Sequence, residues 1–392
     1  MKYWKGYLTA AIFAALTGIM VGFGKTHAEL IDMVYPYVTR MGQDVLTEWS
    51  GSVGFCVWQA LALALLAGLV VTVVLMIIFR WNPIQWFGWV LAVAAGLFCI
   101  HTGMYGLNNY ASSLSEDLKI EEKEYTVSEL KDTTEYLRDK ANELSGKIPR
   151  DSEGRPDYSP FEELAQQAGY GFDNLVYEDF YPVFAGSRQP VKKLAWGKMY
   201  SSMGITGVTM PLTGEAAVNP QIPAVSLPFT MCHEMCHRLC ISVEQDANFG
   251  GFLACIRNPN PQFQYSGYLM AYQYCVNALY RAAGSVAVQD MAAGEDPNVT
   301  RDLAEYDKFF SDRENKKATK AATKVNDTYL KASGDDRGVA SYGDVTDILV
   351  NWYLKEFVIV PDDNKEPSFN PLDKNQVDVS DIIGVPAPAP EG

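Results

Sequence analysis

Three stretches of this chain carry no charged side chain: Gly6 to Gly24, Trp49 to Phe79 and Trp81 to Ile100. An α-helix rises about 1.5 Å per residue, so about 20 apolar residues in a row cross the ~30 Å hydrocarbon core of a bilayer. Buried core helices rarely read this way, and the runs predict three N-terminal transmembrane helices at about 7–23, 53–79 and 87–105. The overall apolar fraction of 48% is ordinary. Its uneven distribution is what separates a membrane region, 1–110, from a large polar remainder. The first run has a rival reading as a cleaved signal peptide, because Lys2 and Lys5 precede it and Thr26, His27 and Ala28 loosely resemble a cleavage site; its apolar stretch is long for that.

Positive charge sets the expected orientation. Lys2, Lys5 and the amino terminus favour the cytoplasmic side, and the short link between the second and third spans carries Arg80 with no acid. The chain then starts inside and finishes outside, and losing the first span would leave that outcome unchanged. The reading is a multi-pass protein of the cell membrane with an extracytoplasmic soluble domain. Lys25 to Gly51 would be an external loop, with Tyr35, Pro36 and Tyr37 packing on that domain.

The chemistry is concentrated in PFTMCHEMCHRLCISVEQDANF, Pro228 to Phe249, which holds two of the four histidines. His233 and His237 are four apart, so on a helix both imidazoles point towards one centre. Glu234 projects about 100° round the axis, out of the same coordination sphere and in place to act on water there. This is the H-E-x-x-H pattern of zinc peptidases. Ser226 and Pro228 read as a cap and a first-turn proline. Zinc needs a third protein ligand, and the run beyond His237 offers Glu244 and Asp246. On an unbroken helix residue 244 would lie roughly 10 Å away, so the chain must leave the helix between them. Cys240 to Val243 are poor helix formers, which permits the break.

The segments GITGVTMPLTGEAAVN (Gly204 to Asn219), PFTMCHEMCH, EQDANF (Glu244 to Phe249) and YSGYLMAYQY (Tyr265 to Tyr274) resemble a membrane-anchored, zincin-like bacterial family, domain of unknown function 3810. YGLNNY at Tyr105 and VNDTYLKASGDDRGVASYGDV at Val325 add to the likeness. The chain departs from the family pattern in having Cys240 where a glycine follows the second histidine, and Asp246 where the family has glutamate. The expected fold is mainly α and membrane-anchored, and the resemblance implies an α+β zincin-like soluble domain over 111–360 and a gluzincin-like zinc metallopeptidase. It also implies Glu244 as the third ligand, Asn248 as a supporting partner and Asp246 as the alternative ligand. The strand-like Gly204 to Asn219 would pair with substrate backbone, and Glu215 within it reads as either a solvated charge or a subsite residue.

Elsewhere Thr126 and Glu129 form a capping box for a helix that ends at Gly146, and a second helix is expected over Phe161 to Ala168. Tyr265 is the candidate donor to the oxyanion of a tetrahedral intermediate, against a plain core role. Asp302 to Ser333 reads as a solvated helical face and Pro361 to Gly392 as a disordered tail. Cys232, Cys236 and Cys240 form a stripe of small packing residues. Cys236 is a conceivable thiolate ligand, and Cys240 with Cys255 is the most plausible disulfide if the domain faces an oxidising exterior. The net charge of −15 argues against nucleic acid as a partner. The expected function is hydrolysis of a peptide or protein substrate at Zn2+ held by His233, His237 and Glu244, with Glu234 as general base. The alternative is a non-catalytic envelope sensor or scaffold.

Overall fold

The computed structural model describes residues 4–333, 337 and 345–358. The expected disordered tail lies outside those residues. Among the described residues three helices are long and apolar enough to cross a membrane: α1 (Lys5–Thr26), α3 (Val57–Ile78) and α4 (Pro83–Met104). Between the first two stands α2 (Ala28–Gly51), where the sequence predicts a loop. Pro36 lies inside this helix and removes one of its backbone donors without ending it.

α1 and α4 lie side by side and point the same way. A Cβ on Gly6 would meet the Gly88 backbone at 2.5 Å, while Gly96 faces Phe13 and Gly103 faces Met20. Small residues at these steps let the two backbones approach, the usual device where lipid removes any hydrophobic reward for helix pairing. None of the α3 membrane window is buried. Its first turn, however, is held by the soluble part. Cys56 provides no side-chain cap, and the Val57 and Trp58 amides donate instead to the two carboxylate oxygens of Glu215, at 2.7 and 2.8 Å. Glu215 is therefore neither solvated nor a subsite residue: it is buried, paired with Lys192 at 2.7 Å, and set at the positive end of a helix.

The polar remainder begins with α5 (Leu114–Asp117), α6 (Val127–Ser145), α7 (Phe161–Tyr177) and α8 (Gly197–Ser202). It continues through α9 (Leu227–Arg238), α10 (Glu244–Ile256), α11 (Pro261–Ala293), α12 (Pro297–Arg313), α13 (Lys316–Ser333) and α14 (Val345–Phe357). The described residues are mainly helical, as expected, and of the expected α+β domain they show one small sheet. β1 (Lys192–Lys193), β2 (Gly207–Met210) and β3 (Glu215–Val218) stand in the order β1-β3-β2, with β1 parallel and β2 antiparallel to β3. The stretch expected as one extended strand, Gly204 to Asn219, is thus a hairpin that turns at Pro211–Gly214.

The capping box at Thr126 forms in both directions, and Glu129 Oε2 accepts from the Thr126 amide at 2.6 Å. Ser226 precedes α9 but does not cap it; its hydroxyl donates to Pro223, and the Phe229 amide is taken by Ser266 Oγ of α11. α7 runs nine residues past the expected end at Ala168, to Tyr177. Asp302, expected on a solvated face, is fully buried in a paired interaction with Arg150 at 2.8 Å. α9 and α10 sit at the centre, with Met231, Met235, Phe249 and Phe252 sealed against Phe172 of α7 and Leu269 of α11. Each such side chain contributes roughly 1.5–3 kcal/mol by leaving water.

The membrane and soluble parts do not separate at residue 110. Gln43 of α2 donates to the Pro211 carbonyl and Thr47 to that of Gly214, which holds the hairpin turn from the membrane side. The boundary expected there is a change in composition, not a gap in packing.

Candidate metal centre

α9 carries its two histidines in its last turns and then stops abruptly. The Ile241 amide reaches back to the Cys236 carbonyl and the Cys240 amide to that of His237, the paired bonds of a Schellman ending. Cys240 occupies the left-handed position at φ 71°, where helix ends favour glycine. The turn releases the chain so that α10 starts at Glu244 and folds back along α9. The two helices approach closely because Gly251 faces the backbone of His233; a Cβ there would stand 3.0 Å from the His233 nitrogen.

The result is a convergent trio. Glu244 Oε2 lies 3.4 Å from His233 Nε2 and 3.4 Å from His237 Nε2. The imidazole rings are 4.7 Å apart and nearly perpendicular, and the donor atoms of all three residues lie within 4.8 Å of one another. Tetrahedral zinc with bonds of ~2.0–2.1 Å separates neighbouring donors by about 3.4 Å. His237 Nδ1 stands 2.9 Å from the Ile241 carbonyl, which can only accept, so that nitrogen carries the proton and Nε2 is left facing Glu244. Glu244 Oε2 is buried and outside hydrogen-bond geometry with any group among the described residues, as is His233 Nδ1. A buried carboxylate oxygen without a donor is costly unless a cation satisfies it.

Electrostatics follow from that crowding. Burial alone would raise the Glu244 carboxyl, but the two histidines pull it well below the ordinary carboxylate range. Burial alone would lower His237, and contact with Glu244 more than reverses this, lifting it to about 9. Glu234 is raised by burial, with His233, His237 and Thr209 opposing the rise. Its carboxylate is held from the sheet: Thr209 Oγ1 on β2 stands 2.7 Å from Glu234 Oε2 and 2.9 Å from the Glu234 carbonyl. Gly207, two residues earlier on the same strand, leaves the room this carboxylate needs, since a Cβ would overlap it.

Other expected residues fall elsewhere. Asp246 points away from the trio; its Oδ2 accepts from the Leu114 amide at 3.1 Å, and burial lifts it to about 7. The structure does not bring Tyr265 to the histidines. Its hydroxyl donates to Asp302 Oδ2 at 2.6 Å, within the Arg150 pair, so the core role holds for it and not the oxyanion role. Asn248 lies one turn beyond Glu244, and its Oδ1 accepts from Tyr274 at 3.3 Å. Cys236 packs against Gly250, and burial raises its thiol well above the usual value, which disfavours a thiolate ligand. The seven cysteines are free, and the expected Cys240–Cys255 disulfide is absent: Cys240 lies beside Thr39 and Asn108, Cys255 beside Cys232.

Sequence reasoning missed Thr209, Tyr274 and two groups from the membrane side. Tyr105, at the end of α4, donates to the His237 carbonyl at 2.9 Å, and Arg40 of α2 donates to that of Leu239 at 3.1 Å. At the C-terminal end of α9, Tyr105 adds a second donor to the His237 carbonyl already taken by the Cys240 amide, and Arg40 serves the carbonyl of the capping residue Leu239. No local pattern marks them, although Tyr105, Thr209 and Tyr274 lie inside the segments that carried the resemblance.

A family model described as "Protein of unknown function (DUF3810)" matches residues 31–350. The chain belongs to that family. The DUF3810 match begins inside α2 and spans the hairpin, α9 and α10, so it takes in the whole trio and the helix that braces it. No curated protein and no solved structure matches the chain.

Proposed function

We propose that this protein is a membrane-anchored zinc metallopeptidase of zincin type, with its soluble domain on the extracytoplasmic side. The observation that carries the reading is the trio: one carboxylate oxygen 3.4 Å from each of two imidazole nitrogens, all within 4.8 Å of one another, the oxygen buried and without a donor among the described residues. His233, His237 and Glu244 would hold the ion, and bound zinc would supply the Lewis acidity that makes water a nucleophile near neutral pH. Glu234 is the group that takes the proton from the attacking water and passes it on towards the leaving amine. Thr209 keeps the Glu234 carboxylate in one orientation during this exchange. β2 is an edge strand of the sheet beside Glu234, so an extended peptide would add to its free edge and bring a carbonyl to the base.

The test uses the full chain. Purified protein is expected to hold about one zinc, and His237→Ala to lose it; wild-type protein without zinc overturns the reading. Glu234→Gln is expected to keep the metal and the fold while lowering turnover by on the order of 10² to 10⁴. Envelope protein termini are compared between cells carrying the wild type and Glu234→Gln. If fragments and phenotype agree in those two strains while a deletion differs, the site binds without cutting and the scaffold reading replaces this one.

A further inference from the structure

The parallel pairing of α1 with α4 restricts α2. Were α2 to cross the bilayer, four successive spans would alternate in direction and α1 would run against α4. They run together, with Gly6 beside Gly88 and Met20 beside Gly103, so α2 stays on one side. The end of α1 and the start of α3 then lie at the same membrane surface, and α2 joins them. Its connections are short: His27 alone at one end and Ser52 to Cys56 at the other. With 24 residues the helix is about 36 Å long, whereas a five-residue link reaches at most about 18 Å. An upright α2 could not return the chain to α3, so the helix lies along the surface.

Two rows of its side chains, about 160° apart, have opposite fates. Tyr35, Thr39, Gln43 and Thr47 face the protein and bond to the Thr102 carbonyl, Asn108, Pro211 and Gly214. Met33, Tyr37, Met41, Val45 and Trp49 face away and are 60–71% exposed. The charged residues leave that outer row apolar: Asp32 accepts from Ser112, Arg40 donates to Leu239, and Asp44 and Glu48 accept from Ser187. Glu29 stands exposed at the first turn, one step before Met33 on that row, so the apolar part of the row runs from Met33 to Trp49. An apolar row from Met33 to Trp49 on a helix that joins two membrane spans, with Tyr37 and Trp49 in it and an acid only at its first turn, has the composition of a helix lying in a bilayer interface.

We propose that α2 is a membrane-surface helix whose outer row is buried in the headgroup and upper acyl region of the leaflet that α1 leaves and α3 enters. Lipid of that leaflet is the occupant because the face is continuous with both spans. The assignment is independent of the metal. Since Gln43 and Thr47 grip the turn between β2 and β3, it also places that hairpin about one helix diameter, ~10 Å, from the lipid surface.

The test places the photoreactive residue p-benzoylphenylalanine at Met41 or Val45, and at the exposed Glu153 as control, in the full chain. The protein is reconstituted in vesicles of phosphatidylethanolamine and phosphatidylglycerol, irradiated and weighed by mass spectrometry. The expected result is addition of one phospholipid mass at Met41 and Val45 and none at Glu153. A cross-linked pair of chains would assign the face to a second copy, and protein without lipid adduct at either position would leave the face in water; both overturn the proposal. Positions 33 and 49 give the same readout should either substitution lower the yield.

Discussion

His237 and Glu244 share one proton balance, and its sign can be worked out. In metal-free protein His237 sits at about 9, above its ordinary 6.5, so its contribution to stability is fully present below pH 6.5 and is lost as pH rises through about 9. Glu244, held low, contributes stability that is present above its ordinary 4.5 and is lost on acidification. Chelator-treated protein is therefore expected to melt at a lower temperature at pH 9.5 than at pH 6.5, and His237→Ala to lose that difference. Equal melting slopes in the two proteins would show that the pair is not coupled. Cys240 offers a second residue-scale test. A left-handed φ costs a non-glycine residue about 1–2 kcal/mol. Cys240→Gly removes that cost and some burial together and should change stability by less than about 1 kcal/mol, whereas the β-branched Cys240→Val should lose more than about 2 kcal/mol. Chemical denaturation of the two variants decides it.

At the scale of elements, the site depends on where α9, α10 and the hairpin stop. The Schellman turn sets the reversal, Gly251 sets the spacing, and the hairpin presents Thr209 to Glu234. Glu215 ties this hairpin to the first turn of α3. Replacing it with glutamine leaves the Lys192 ammonium buried beside a neutral partner and weakens the anion at the α3 terminus. Breaking a buried pair typically costs about 3–5 kcal/mol; because Lys192 keeps the Ser50 and Phe55 carbonyls, Glu215→Gln is expected near the lower end. A thermal shift in detergent measures this, and an unchanged midpoint would mean that the two α3 amides find water instead.

For the whole molecule, the N-terminal region that carries the three apolar helices is packed into the polar remainder and completes it. A fragment starting at residue 112 lacks Arg40 and Tyr105, takes the Arg40 donor from the Leu239 carbonyl, leaves the His237 carbonyl to the Cys240 amide and uncovers the surface on which α2 docks. We expect it to melt well below the full chain and to bind zinc more weakly, as judged by calorimetry on both. Topology is tested separately: protease added to spheroplasts should digest the domain, and protection lost only on lysis would place it in the cytoplasm.

Composition and short spacing were enough to mark α1, α3 and α4, because crossing hydrocarbon demands an apolar run whatever its neighbours do. They were also enough to select His233, Glu234 and His237, because a four-residue step brings two side chains together within one helix. Glu244 entered through family likeness, with Asp246 open beside it. Only the close packing of α10 on α9 distinguishes them, since two positions apart on one helix point in different directions. α2 was hidden because it lies between two apolar spans and its helical rows are divided between protein and exterior. Thr209, Tyr105 and Arg40 were likewise invisible: each acts on a backbone or carboxylate group far away in sequence, a relation that exists only once the chain has folded.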